Sequence, residues 1–235
     1  MTTCTNISWQ YDEFQQVGTD YADTVEVAMY DSRHSDFRDL EAEALRVLDA
    51  IEIRNTDVLI DFGSGTGTLV ILAAKRCRRV HAVDVSGAMI EHAGAKAAGQ
   101  GVTNIKFHRA GFLTYEHNGP PVDVIVTTLA LHHLPDFWKG IALKRLGAML
   151  TPGGRLYMHD VILEEPDVIE NIAAFIDTLA KKGGESMKKD VERHFKDEFS
   201  TYDWVMDGLL SRADFTIRSK NIDGGVLGTY LCVKN

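Results

Sequence analysis

The sequence predicts an α/β fold: a parallel sheet with helices on both faces, finished by a C-terminal antiparallel hairpin. Three observations predict it. The run Val58-Leu59-Ile60-Asp61-Phe62 is apolar in four of its five positions, as in a strand covered on both faces, and it leads straight into Gly63-Ser64-Gly65-Thr66-Gly67. Short apolar runs then alternate with helical patterns to about residue 160, the rhythm of βαβ units with right-handed crossovers. Near the C-terminus, residues 215–222 and 226–233 read as two strands joined by Asp223-Gly224-Gly225.

Taken in order, residues 1–38 scatter Trp9, Tyr11, Phe14, Tyr21, Tyr30 and Phe37 among acids without a sustained period. Too polar for core and too aromatic for a disordered tail, this segment reads as a lid over a ligand site. Leu40, Ala44, Leu45, Leu48 and Ile51 recur at helical spacing, so an amphipathic helix leads into the first strand and covers one sheet face. After the glycines, Leu69-Val70-Ile71-Leu72-Ala73-Ala74 reads as a helix whose unpaired amide groups face the turn, a place suited to negative charge. Residues 80–84 form a second strand ending in an acid, and 87–98 an alanine-rich helix. Strands are expected at 104–108, 122–128 and 154–159, a helix at 137–150, and a turn at Thr151-Pro152-Gly153-Gly154. Beyond Asp160, two polar-rich helices at about 166–182 and 187–211 flank a solvated connection containing Lys181-Lys182-Gly183-Gly184.

A length of 235 residues suits one large α/β domain. Hydrophobic residues are 45% and charged residues 25%, with no segment of membrane-spanning length. Twenty-five basic against 34 acidic residues give a formal charge of −9, which disfavours nucleic acid and anionic membranes as partners. A small-molecule substrate is expected, with no nucleic acid, no membrane, and a monomer or homodimer as the assembly. Cys4, Cys77 and Cys232 are too few and too scattered for a disulfide framework or a zinc site, and no metal ligands are assigned. The acidic start, with Asp12, Glu13 and Asp20, lacks the regions of a signal peptide, so a cytoplasmic location is expected.

The glycines form GxGxG, whereas a nicotinamide-dinucleotide fingerprint places its third glycine where Thr68 stands. Asp84 follows Gly67 by seventeen residues at the carboxyl edge of the sheet, where a carboxylate accepts from both hydroxyls of a ribose. The pair suits an adenosine-containing cofactor. His132 and His133 lie just past a strand end and titrate near neutral pH; adjacent side chains diverge, so at most one is expected to face the pocket, and His133 is the candidate base. His159-Asp160 reads as a polar rim. Glu192, His194, Glu198, Tyr202 and Trp204 read as a solvated helix with an apolar inner stripe, the alternative being a lid with polar groups aimed inward.

The stretch from Asp61 to Gly67, Asp84, Ala130-Leu131-His132-His133-Leu134-Pro135-Asp136, the turn Leu150-Thr151-Pro152-Gly153-Gly154 and the final hairpin together resemble the class I S-adenosylmethionine-dependent methyltransferases. The likeness covers about residues 40–160 plus the C-terminal strands and leans toward small-molecule enzymes of the ubiquinone/menaquinone type. It implies a seven-stranded Rossmann-like methyltransferase sheet in a domain at 39–235, with a helical insert at about 166–211, preceded by the lid segment at 1–38 read from its composition. It implies S-adenosyl-L-methionine as cofactor and S-adenosylhomocysteine as product. Asp61 and the backbone of Gly63, Ser64, Gly65 and Gly67 would hold the methionine part, Asp84 the ribose, and Val85 and Met89 the adenine surroundings. Leu129 would present backbone to the methionine end. Members often carry an acid after the third strand for the adenine amino group; here Ala110-Gly111-Phe112 stands there, and the backbone of Gly111 with packing by Phe112 is the substitute. The acceptor atom stays open among oxygen, nitrogen, carbon and sulfur.

Methyl transfer from a sulfonium is an in-line displacement that needs alignment and water exclusion more than a catalytic constellation. Two other functions remain open at this point: a non-catalytic S-adenosylmethionine-binding protein and a nucleotide-dependent oxidoreductase. A nucleic-acid enzyme would want an Asn-Pro-Pro-aromatic motif where Thr127-Thr128-Leu129-Ala130 stands, and arsenic methylation would want clustered cysteines.

Overall fold

The computed structural model describes residues 7–15, residue 27 and residues 39–235. Its elements run α1 (Leu40–Ala50), β1 (Val58–Phe62), α2 (Thr68–Ala74), β2 (Arg79–Asp84), α3 (Gly87–Gly99), β3 (Ile105–Arg109), β4 (Val122–Thr128), α4 (Asp136–Met149), β5 (Leu150–Leu163), α5 (Val168–Asp197), β6 (Thr201–Tyr202), α6 (Asp203–Arg212), β7 (Phe215–Asp223) and β8 (Leu227–Lys234). The strands form one mixed sheet in the order β3-β2-β1-β4-β5-β8-β7. The first five are parallel, and β8 lies antiparallel to both β5 and β7. The expected seven-stranded α/β sheet with its C-terminal hairpin is therefore present. Two-residue β6 is an eighth strand, pairing with Ile162 and Leu163 at the end of β5, and no local pattern announced it.

Alternation along the strands divides the core into two layers. Leu59, Val80, Val124 and Val126 face Val47 and Leu48 of α1 and Val70 and Ala73 of α2. Ile60, Phe62, Ile125 and Met158 face the other way, against Leu143 and Leu146 of α4 and Leu210 of α6. Full burial of each such side chain contributes about 1.5–3 kcal/mol. Two helix starts are capped by a side chain. The Asp39 carboxylate accepts from Ala42 N at 2.9 Å at the start of α1, and Ser86 Oγ accepts from Met89 N at 3.1 Å at the start of α3.

Two stretches depart from the sequence reading. The turn at 151–154 lies within β5 as a register shift, since Leu150 pairs with Val122 and Arg155 with Val124. The helix expected at 187–211 ends at Asp197, and after a short link and β6 a separate α6 begins. Tertiary partners capture the link backbone there: Phe199 N donates to His132 O at 2.9 Å, the buried Lys139 Nζ donates to Phe199 O, and Thr201 Oγ1 donates to Asp136 Oδ2 at 3.0 Å. The break expected between the two helices survives as a kink in α5 at Gly184, whose φ is 70°. Among the described residues no helix is long and apolar enough to cross a membrane.

Candidate functional site

A cavity of about 1060 Å³ opens over the carboxyl ends of β1, β2, β4 and β5. Carboxyl ends where the strand order reverses are the usual ligand crevice of an open α/β sheet, and this volume lies at the upper end for a small-molecule site. The glycine turn, the link after β3, the link after β4, the inner face of α5 and part of the N-terminal segment wall it.

Of the residues assigned from sequence, Asp61, Gly63, Ser64, Gly65, Asp84, Val85, Met89, Gly111, Phe112, Leu129 and His133 all line this cavity. Gly67 does not. It caps α2 at φ 84°, and a side chain there would meet Ala93 Cβ of α3 at 2.8 Å, so its task is close packing of α2 on α3. Gly65, at φ 51°, has open space where a side chain would stand.

Asp61 sits on the cavity floor with 2% exposure, and its Oδ1 has no hydrogen-bond partner among the described residues; the same holds for Ser64 Oγ. Burial, then the neighbouring Asp84 charge, pushes the Asp61 carboxyl well above the usual carboxylate range. A buried, unpartnered acceptor next to a second acid is costly unless a donor or cation arrives. Asp84 is oriented by backbone: Gly65 N donates to Oδ2 at 2.8 Å and Ser86 N to Oδ1 at 2.9 Å. Leu129 occupies φ 50°, uncommon for a side-chain-bearing residue, and donates its N–H to His159 O at 2.7 Å. Phe112 stacks on Phe62 at 5.2 Å between centroids, and Arg145 holds this link through Phe112 O at 3.1 Å and Tyr115 O at 2.7 Å.

Glu13 was read only as part of an acidic start. It is 9% exposed, lines the cavity, and accepts from Leu113 N at 3.0 and 3.1 Å and from Thr114 Oγ1 at 2.6 Å. The carboxylate fills the place a side chain at Gly111 would take. Tyr11 also lines the cavity and meets Phe199 edge-on at 6.2 Å. Tyr21, Tyr30 and Phe37 lie outside the described residues.

At the opposite end of the cavity lies a histidine–carboxylate cluster. His132 and His133 occupy a 3-10 turn, Leu131–His133, and both line the cavity, contrary to the expectation that at most one would. The tight turn and the unusual Leu129 backbone set the rings side by side, 4.4 Å apart. Asp160, expected on a rim, is 1% exposed; its Oδ1 lies 2.5 Å from His132 Nδ1, and the carboxylate accepts from Leu131 N at 2.8 Å and Val161 N at 2.7 Å. Burial opposes charge on this pair, but mutual attraction and those N–H donors hold Asp160 below its usual range and His132 above its own. His133 is shifted down, by burial and then by the charge on His132. From α5 and the following link, His194 Nδ1 approaches Glu198 Oε2 at 2.5 Å, and the same oxygen is 3.1 Å from His132 Nε2. The inward alternative thus holds for His194 and Glu198, while Glu192 and Trp204 are exposed.

Residues 59–154 match a family described as a methyltransferase domain. An uncharacterized methyltransferase of Geobacillus kaustophilus is 28% identical over 205 residues, covering 87% of this chain and 88% of that protein. Another, of Oceanobacillus iheyensis, is 30% identical over 150 residues, 64% of this chain and 67% of its own length. Among solved structures, an S-adenosylmethionine-dependent methyltransferase from Clostridium acetobutylicum superposes with a TM-score of 0.65 at 14% identity, over 88% of this chain and 97% of its own, a likeness of fold.

Proposed function

The chain belongs to the methyltransferase family, and on that premise we propose that it transfers a methyl group from S-adenosylmethionine to a small-molecule acceptor, leaving S-adenosylhomocysteine. The observation that carries the proposal is Asp61: a buried acceptor on the cavity floor, between the glycine turn and Asp84, whose Oδ1 has no partner among the described residues. The residues present fit the cofactor. Asp61 accepts from its ammonium group, Ser64 Oγ and the backbone of Gly63 and Gly65 meet the methionine end, and Asp84 accepts from the ribose hydroxyls. Val85, Met89, Gly111 and Phe112 wall the adenine, and Leu129 offers backbone near the methionine end. When bound, the cofactor supplies an electrophilic methyl group on a sulfonium.

The chain's own contribution is alignment, exclusion of water and, for an acceptor that must lose a proton, a base. His133 is the proposed base, since its neutral ring borders the cavity and its side chain keeps 37% exposure. The N-terminal segment acts as the lid of the domain at 39–235; the docking of Tyr11 and Glu13 supports this. A net charge of −9 supports a small-molecule acceptor over nucleic acid.

Calorimetric titration with S-adenosylmethionine and S-adenosylhomocysteine, with a nicotinamide dinucleotide as control, tests the reading. Micromolar binding of both sulfur compounds, followed by transfer of isotope-labelled methyl into small molecules of a cell extract, is the expected result. Binding without transfer to any acceptor would leave a binding protein, and dinucleotide binding alone would overturn the cofactor.

A further inference from the structure

We propose that His132, His194 and Glu198 form a binding site for a divalent first-row transition metal, of which Zn²⁺ suits the donor set best, at the acceptor end of the cavity. One nitrogen from each imidazole and one carboxylate oxygen converge so that all three atoms lie within 4.8 Å of one another. Two histidines and one carboxylate with a position left open toward a pocket form a familiar donor set for such ions.

Outer contacts orient both rings. His132 Nδ1 is taken by Asp160 at 2.5 Å, and His194 Nε2 meets Ser200 Oγ at 3.0 Å. The inner nitrogens, His132 Nε2 and His194 Nδ1, both point at Glu198 Oε2. A cation at their meeting point would take the place of the protons shared there and leave the outer contacts undisturbed. Carboxylates that grip the far side of a metal-ligating histidine fix its tautomer and raise its basicity, and Asp160 stands in that relation to His132. The present separations of 3.1 and 2.5 Å would widen to about 3.3 Å around an ion with bonds of about 2.0–2.1 Å, a displacement within reach of the Glu198 side chain.

The scaffold around these donors is firm. Asp160 is anchored by the backbone of Leu131 and Val161, and the link carrying Glu198 is tied down by Phe199 N on His132 O at 2.9 Å and by Lys139 on Phe199 O. All three donors border the cavity. A metal here would present its open position to an acceptor bearing an oxygen or sulfur ligand atom and hold that atom against the methyl donor. This use of the site rests on the methyl-transfer reading; the binding of metal does not.

The test uses the full chain, free of affinity tag and stripped with chelator, titrated with Zn²⁺ by calorimetry and with Co²⁺ by absorption. One ion per chain is expected, with visible ligand-field bands and without the near-ultraviolet sulfur charge-transfer band that cysteine ligation would add. Glu198→Gln and His194→Ala should each weaken binding on the order of a hundredfold, and Asp160→Asn about 10–100-fold. The same samples are titrated with S-adenosylhomocysteine, which reports whether each variant is folded; if one is not, the wild-type cobalt spectrum decides. Absence of micromolar Zn²⁺ binding, a sulfur band, or indifference to both ligand variants would overturn the site. Metal binding without S-adenosylhomocysteine binding would instead sink the methyl-transfer reading and leave the metal site standing.

Discussion

Replacing Asp61 by asparagine should make the free protein more stable and the liganded protein weaker, two effects of opposite sign from one atom. In the free chain the carboxylate is 2% exposed, its Oδ1 lacks a partner among the described residues, and Asp84 stands close enough to raise its pKa further. An unsatisfied buried polar group costs about 1–3 kcal/mol, more when charged, so removing the charge should recover about 1–2 kcal/mol. For a chain of this size that corresponds to a rise in melting temperature of about 2–8 °C. The gain should depend on pH. Because the folded pKa is raised above the unfolded one, the folded state holds the proton more tightly, and the penalty on the wild type grows as pH rises through the folded pKa. Variant and wild type should therefore converge in acid and separate in base. In the complex the sign reverses. A hydrogen bond to a charged acceptor contributes about 1.5–3 kcal/mol and one to a neutral acceptor about 0.5–1.5, so affinity for S-adenosylhomocysteine should fall roughly tenfold. Scanning calorimetry across pH and isothermal titration give both numbers. An Asp61→Asn protein that melts lower without ligand, or binds as tightly as wild type, would refute the placement of a ligand cation on this floor.

Gly65→Val should cost about 1–3 kcal/mol of stability, because a β-branched residue is strained at φ 51°, and should weaken cofactor binding more than tenfold since its side chain enters the cavity; a variant with normal affinity would place the ligand elsewhere. Glu13→Ala leaves the buried Leu113 N–H without its acceptor, so docking of the N-terminal segment should weaken by about 1–3 kcal/mol, and deletion of residues 1–38 should lower S-adenosylhomocysteine affinity in the same direction. Unchanged affinity in both would remove the lid. His81 is pushed down to about 4, by burial first and then by the neighbouring His108 and His117. Its unfolded pKa is near 6.5, so the unfolded state gains the proton first, and stability should drop as pH falls from about 6.5 to 4, by at most about 3 kcal/mol. Denaturant midpoints that stay level over that window in wild type, or fall equally in His81→Gln, would contradict this origin.

The half of the cavity facing the cofactor was legible because its signals are local. A strand buried on both faces is apolar along most of its length, a turn with φ of 74°, 51° and 84° favours glycine, and an acid at the end of the next strand follows from one βαβ unit. Gly67 shows the limit of that logic: spacing identified the turn, but only the packing of Ala93 reveals which glycine serves helix contact in place of ligand contact. The other half was illegible for a different reason. Asp160 meets His132 across 28 positions and Glu13 meets Leu113 across 100, and no periodicity encodes such pairings. Read singly, Asp160 resembled a rim and His194 a solvated helix face. The end of the helix near Asp197 escaped notice because its stop is tertiary, imposed by Lys139 and His132 and not by glycine or proline.

No side chain of α5 is buried, although Asn171, Ala174, Phe175, Thr178 and Leu179 border the cavity. Beyond a small cluster in which Val168, Ile172, Phe175 and Phe195 pack on Val161, Leu163 and Val226, the two main layers draw nothing from this helix, so selection can change Asn171, Ala174, Thr178 and Leu179 while the determinants of folding stay where they are. Preference for a new acceptor could then drift through successive single substitutions, each nearly neutral for the native state, without the compensating changes that a pocket carved from the core would demand.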